Sequence, residues 1–228
     1  MISEIFNSAF YCVLSISLLL CYRAGKIINL SFASFFTLGA YLSVFTPFLT
    51  IPLGALAGYF LHWATKRLSV TNSTLFSLGF AIAIEEVLRI SFRKQYLLIP
   101  MQKITVLGEN LPFSHLISGL ISIAFLITFF ALIFSRKSVL LRVVEDDAEI
   151  AELYGVSTEK IRAIALIVTT SVVCLLGSFQ NPGIVYPTIG WHFLIFAVIM
   201  AAIANSTPKP YLASILLALV ISWFTKLF

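Results

Sequence analysis

The sequence predicts an all-α, polytopic membrane protein: about eight transmembrane helices with one short polar excursion between them. Three observations carry this. Of the 228 residues, 60% are apolar and 11% charged, against roughly 45–50% and about 25% in ordinary globular chains. The apolar residues gather in runs near the ~20 residues that cross a bilayer core, where backbone groups facing lipid must be satisfied within a helix. The charges crowd into one stretch, 135–162, reading SRKSVLLRVVEDDAEIAELYGVSTEKIR, with six of the ten acids and five of the fifteen Lys and Arg residues.

The apolar segments are 5–22, 27–45, 48–64, 74–92, 116–134, 164–179, 192–204 and 211–228. The first lacks a basic leader and a small-residue cleavage site, so it reads as a retained helix. The second and third are split only at Thr46-Pro47; proline disfavours helix in the residue before it, which predicts a tight hairpin at one membrane face. The second also carries Asn29, Ser31, Ser34 and Thr37 at roughly helical spacing, with Gly39 beyond. That polar side is either a close helix–helix seam of small residues or the wall of a translocation path.

The fourth segment holds Glu85, Glu86 and Arg89. A charge at mid-bilayer costs on the order of 2.5–3.5 kcal/mol on insertion scales, which favours pairing. The i,i+4 spacing pairs Glu85 with Arg89 and Glu86 with Arg93, and Glu85 is also a candidate for the translocation path. Breakers at Pro100, Gly108 and Pro112 mark a loop over about 93–115, and Pro182, Gly183, Pro187 and Gly190 mark another over 180–191. The seventh segment is short for a full span, which points to a broken or tilted helix.

Orientation follows the basic residues. With the polar stretch inside, ten of the fifteen Lys and Arg residues are cytosolic, both termini face outward, and the net charge of +5 belongs to short loops rather than to a nucleic-acid surface. Residues 1–228 then form one transmembrane domain, with 135–162 a cytosolic loop within it.

Within that loop Asp146 can cap a helix whose third position is Glu149, the reciprocal capping arrangement. Ile150, Leu153 and Tyr154 then form one apolar stripe, Ala148 and Ala151 allow close approach, and Gly155 stops the helix. Ser157 can start the next. The product is a short acidic amphipathic helix, either packed on its own loops or docked into a partner's groove.

Other chemistry is not signalled. Gly25-Lys26 lacks the Gly-rich approach of a phosphate-binding loop, so the chain is expected to hold no nucleotide. Cys12, Cys21 and Cys174 sit in apolar runs as core residues, and His62, His115 and His192 lack metal-ligand spacing. No catalytic set emerges, so the expectation is a non-enzyme without a cofactor or metal.

The stretch from Leu141-Arg142-Val143-Val144-Glu145-Asp146-Asp147 through Ala148-Glu149-Ile150-Ala151-Glu152-Leu153-Tyr154-Gly155-Val156 resembles the cytosolic loop of permeases in branched-chain amino-acid-type ABC transporters. Ile28-Asn29-Leu30-Ser31-Phe32-Ala33 with Leu38-Gly39-Ala40-Tyr41 is similar to the family's Ile-Asn-Phe-Ala-His-Gly…Leu-Gly-Ala-Tyr signature. Pro182-Gly183, Pro187 and Gly190 match a third stretch. The chain departs where Ser31-Phe32-Ala33 replaces Ala-His-Gly, and where Met200 to Ser206 replaces a Gly-rich segment. The resemblance implies the multi-pass permease subunit of an importer in a bacterial inner membrane, paired with a second permease of the same or a related kind. It implies two cytosolic ATPase subunits that use the ATP and a periplasmic solute-binding protein. ATPase docking would fall on Glu145, Asp146, Asp147, Glu149, Ile150, Leu153, Tyr154 and Gly155, the coupling helix. The cargo would be a small polar solute, first of all a branched-chain or other hydrophobic amino acid. A stand-alone channel or secondary transporter is the competing expectation.

Overall fold

The computed structural model describes residues 2–43, 46–92, 96–98, 103–106, 109–135, 138–180 and 183–227. Each apolar segment contains one helix: α1 (Ile2–Arg23), α2 (Phe32–Leu42), α3 (Thr50–Thr65), α4 (Val70–Phe92) and α5 (Phe113–Phe134) come first. The polar stretch follows with α6 (Ser138–Asp146) and α7 (Ala148–Leu153), and α8 (Thr158–Phe179), α9 (Ile189–Asn205) and α10 (Pro210–Leu227) complete the set. Among the described residues three helices, over Ser3–Arg23, Phe113–Phe134 and Thr158–Phe179, are long and apolar enough to cross a membrane.

The core is built around α1. Phe10, Val13 and Ile16 are fully enclosed, and α1 packs against α5, α8, α9 and α10. Phe10 sets its ring edge-on to Phe36 of α2 at 5.9 Å and to Phe193 of α9 at 5.4 Å, the geometry that aromatic quadrupoles favour.

On the other side α8 is the axle, with α2 and α3 both laid along it. Glycine makes the closest of these approaches possible. A Cβ on Gly39 would lie 1.9 Å from the Cys174 carbonyl oxygen, and one on Gly177 would lie 2.1 Å from that of Phe36. The two glycines face each other's helix reciprocally, so α2 and α8 meet backbone to backbone. In lipid, where apolar burial gives helices little drive to associate, such close packing is what holds them.

The break between α2 and α3 falls at Thr46-Pro47. Thr46 is extended (φ −151, ψ 106), Pro47–Leu49 makes one 3₁₀ turn, and α3 follows. Of the two expectations for the seventh segment, broken or tilted, the first does not hold: α9 is continuous over 17 residues. Gly190, read as a loop residue, lies in its first turn, where the absent side chain lets it press on the Ala33 carbonyl.

The two breaker-rich loops are not wholly irregular. β1 (Leu97–Leu98) pairs antiparallel with β4 (Ile184–Val185), and β2 (Lys103–Val106) forms a hairpin with β3 (Glu109–Pro112). Strands of two and four residues leave no alternation long enough to read. Arg93, Lys94, Pro100, Gly108, Asn181 and Pro182 lie outside the described residues.

The reciprocal glycine seam generates a comparison. Alanine in a helix gains about 1 kcal/mol over glycine, but at Gly39 the added methyl meets backbone that cannot step aside. Gly39→Ala is expected to lower the thermal midpoint of the purified protein, at a cost of about 1–3 kcal/mol. Gly79→Ala, which meets nothing within 4 Å, should leave the midpoint unchanged or raise it. Equal behaviour of the two variants would contradict the seam.

Candidate functional site

The polar stretch folds as a bent pair, α6 and α7, and the bend falls one residue later than its capping pattern predicts. Asp147, not Asp146, caps α7: its backbone is extended, and its side chain accepts from the amides of Glu149 at 2.9 Å and Ile150 at 3.2 Å. The reason is α6, which the sequence reading did not separate from its surroundings. Its last turn carries on until the Asp147 amide donates to the Val143 carbonyl at 3.0 Å, so Asp146 is spent as the end of one helix. Of two neighbouring aspartates, the second is left free to begin the next.

Glu145 is a second correction. Grouped by sequence with the docking residues, it points inward, with 4% of its side chain exposed. Arg23 Nε of α1 donates to its carboxylate at 3.1 Å, and the Tyr211 hydroxyl of α10 donates to the other oxygen. The Lys26 ammonium donates to the Glu145 backbone carbonyl at 3.2 Å, and Arg23 also lies 3.8 Å from the exposed Asp146. A buried carboxylate requires such partners, and these fasten α6 to the ends of α1 and α10. Burial nonetheless outweighs them and raises the Glu145 pKa above its ordinary 4.5. Nothing local could have announced the role, because the partners lie 122 and 66 residues away in sequence.

Beyond this anchor, α7 presents its tip to the surroundings. Ala151 is fully buried against the body, whereas Ile150, Leu153 and Tyr154 are 47%, 86% and 80% exposed. Glu149 is exposed as well. The helix closes with a paired C-terminal motif: the Gly155 amide donates to Glu152 at 2.9 Å and the Val156 amide to Ala151 at 3.0 Å, with Gly155 left-handed at φ +76. Only glycine takes that conformation at little cost. Ser157 then stands at the N-cap of α8, as read from the sequence, though without a side-chain capping bond. The arrangement is a short helix joined by four residues, Tyr154 to Ser157, to a 22-residue one.

The residues of the second apolar segment lie deep in the helix seams. Asn29, Ser31, Ser34 and Thr37 are fully buried. Ser34 and Thr37 donate back to the Ser31 and Ala33 carbonyls at 2.8 and 2.9 Å, and the Gly190 amide donates to Thr37 Oγ1 at 3.2 Å. Asn29 Oδ1 accepts from the Ser31 amide at 3.2 Å. With Gly39 against α8, these groups stitch α2 to α8 and α9 in this conformation.

The charges of α4 pair otherwise than expected. Arg89 meets Glu86 at 2.9 Å, three residues apart rather than four. Glu85 turns inward, 7% exposed, and accepts from the Trp191 indole of α9. Glu85 and Glu86 are neighbours and so point to different sides of the helix, and Arg89 is half exposed on the side of Glu86. Arg93, the expected mate of Glu86, lies outside the described residues. Trp191 is the partner that sequence spacing could not supply.

Compared with known proteins, residues 1–228 match a family model described as branched-chain amino acid transport system / permease component. No curated protein and no solved structure matches the chain.

The Glu145 anchor has a measurable consequence. Glu145→Ala strands the Arg23 and Tyr211 donors and should lower stability by about 1–3 kcal/mol. Because the folded pKa is raised, the unfolded carboxyl loses its proton at lower pH than the folded one. Stability should therefore fall as pH rises through the window just above 4.5. Glu145→Gln should lack that slope. Wild type and Glu145→Gln sharing one pH profile in thermal-melt titrations would contradict the buried carboxyl.

Proposed function

The chain belongs to the branched-chain amino acid transport permease family, and from that premise we propose that it is the membrane-spanning permease subunit of an ABC importer. In this reading α1 to α5 and α8 to α10 serve as the spans in a bacterial inner membrane, and α7 is the coupling helix on the cytosolic face. Two separate ATPase subunits grip it, one on this chain and one on a second permease. A solute-binding protein delivers a branched-chain or other hydrophobic amino acid from the outer side.

The observation that carries the proposal is the exposed α7 tip on a fixed base. An exposed Leu153 at the end of a six-residue helix, with Tyr154 just beyond it, suits insertion into a hydrophobic groove, while Ala151 and Glu145 keep the base from moving independently. When the ATPases close on ATP, the force enters at the tip and passes through Gly155 and Ser157 into α8. Since α2 and α3 are packed along α8, they follow it, and the spans exchange inward- and outward-open states. Substrate passage along Asn29, Ser31, Ser34, Thr37, Gly39 and Glu85 would require those seams to part during that exchange.

Affinity purification of the tagged chain from native membranes should bring down an ATPase. Replacing the tip by Leu153→Asp and Tyr154→Asp should reduce its recovery about tenfold or more, the loss of two buried apolar anchors, while membrane insertion is kept. Full recovery with the double variant, or no ATPase with the wild type, would remove the proposal.

A further inference from the structure

Behind α7 lies a cavity of about 450 Å³, walled by the α1–α2 connection, the end of α3, α7 and the start of α8. Its size falls within the roughly 300–1,000 Å³ of small-molecule sites. Four cationic side chains line it, Lys26, Lys66, Arg67 and Arg162, against two carboxylates, Glu152 and Glu159.

The carboxylates are partly occupied elsewhere. Glu152 accepts from the Thr158 hydroxyl. Glu159 lies 3.7 Å from Lys66 and 3.8 Å from His62, and is itself 64% exposed. On formal charges the lining keeps an excess of two positive charges, four cations against two anions with His62 neutral.

A surplus of surface cations alone would be an ordinary solvated face. Two buried nitrogens without partners make this one different. His62 is 6% exposed, yet its Nδ1 has no hydrogen-bond partner among the described residues, and neither does the buried Nε of Arg162. Arg162 Nη2 is already committed to the Thr65 carbonyl at 3.1 Å, which holds the guanidinium in place at the cavity wall. Buried polar atoms left unpaired are costly. The cavity also meets the start of α8, whose first amides lack a side-chain cap, and helix N-termini attract anions.

We propose that this cavity binds a phosphate-bearing anion, held at its wall by Arg162 and by His62 in its Nδ1–H tautomer, and at its mouth by Lys66 and Arg67. Guanidinium and ammonium donors match phosphate oxygens with charge-assisted hydrogen bonds. The phosphate can arrive on an anionic lipid headgroup from the adjoining leaflet or as a free anion, and both satisfy the same donors.

The test uses the full chain in phosphatidylcholine nanodiscs. In one arm inorganic phosphate is titrated calorimetrically; in the other, part of the lipid is phosphatidylglycerol and the retained lipid is read by native mass spectrometry. Saturable phosphate binding identifies the free anion, and selective retention of phosphatidylglycerol identifies the headgroup. Lys66→Gln with Arg67→Gln, both exposed and therefore safe for folding, should weaken either signal about tenfold or more. Lys209→Gln, on another part of the surface, should not. No specific binding in either arm leaves the basic cluster to a partner's acidic side chains and overturns the proposal. So does binding that the double variant does not weaken.

Discussion

A carboxylate taken out of water must find donors or give up its charge, and Glu145 finds them on both ends of the chain. Arg23 closes the first helix and Tyr211 opens the last, and the Glu145 side chain joins the two. A charged pair of this kind is a weak source of net stability, because desolvation offsets the attraction. Its value is positional. Losing either partner is costly, so α6 has one place to sit, and α7 inherits a fixed base from it.

Rigidity then decides what a push on α7 can do. Close-packed interiors transmit displacement rather than absorb it, and the backbone contact of α2 on α8 at Gly39 and Gly177 leaves no side chain to yield. The link from α7 to α8 is four residues long, with one left-handed glycine. In the proposed mechanism that link is the hinge, and the α2–α3–α8 unit is the body it turns. The polar groups of α2 take part as seam: their hydroxyls are satisfied within the helix or across to α9, which makes the seam separable without stranding many donors.

The architecture was legible wherever a signal repeats within one element. Long apolar runs set the helices, Thr46-Pro47 set the break between α2 and α3, and Gly155 set the end of α7 because a left-handed residue there must be cheap. What escaped depended on contacts far apart in sequence. Glu145 looked like its acidic neighbours until Arg23 and Tyr211 closed on it, and Glu85 looked like a mate for Arg89 until Trp191 took its carboxylate. The cap moved from Asp146 to Asp147 because α6, whose Val144 is buried against the body, ran one residue further than an isolated capping pattern implies. The short strands were unreadable for a simpler reason: pairing with a distant partner, not alternation, defines them.

The most direct test of the central claim is the side on which α7 stands. Cys12, Cys21 and Cys174 are all buried, so a single cysteine placed at Leu153 is the reactive thiol of the chain. A membrane-impermeant maleimide should label Leu153→Cys in inside-out vesicles and leave right-side-out vesicles unlabelled. Labelling from the outer side would contradict a cytosolic lever and the mechanism built on it.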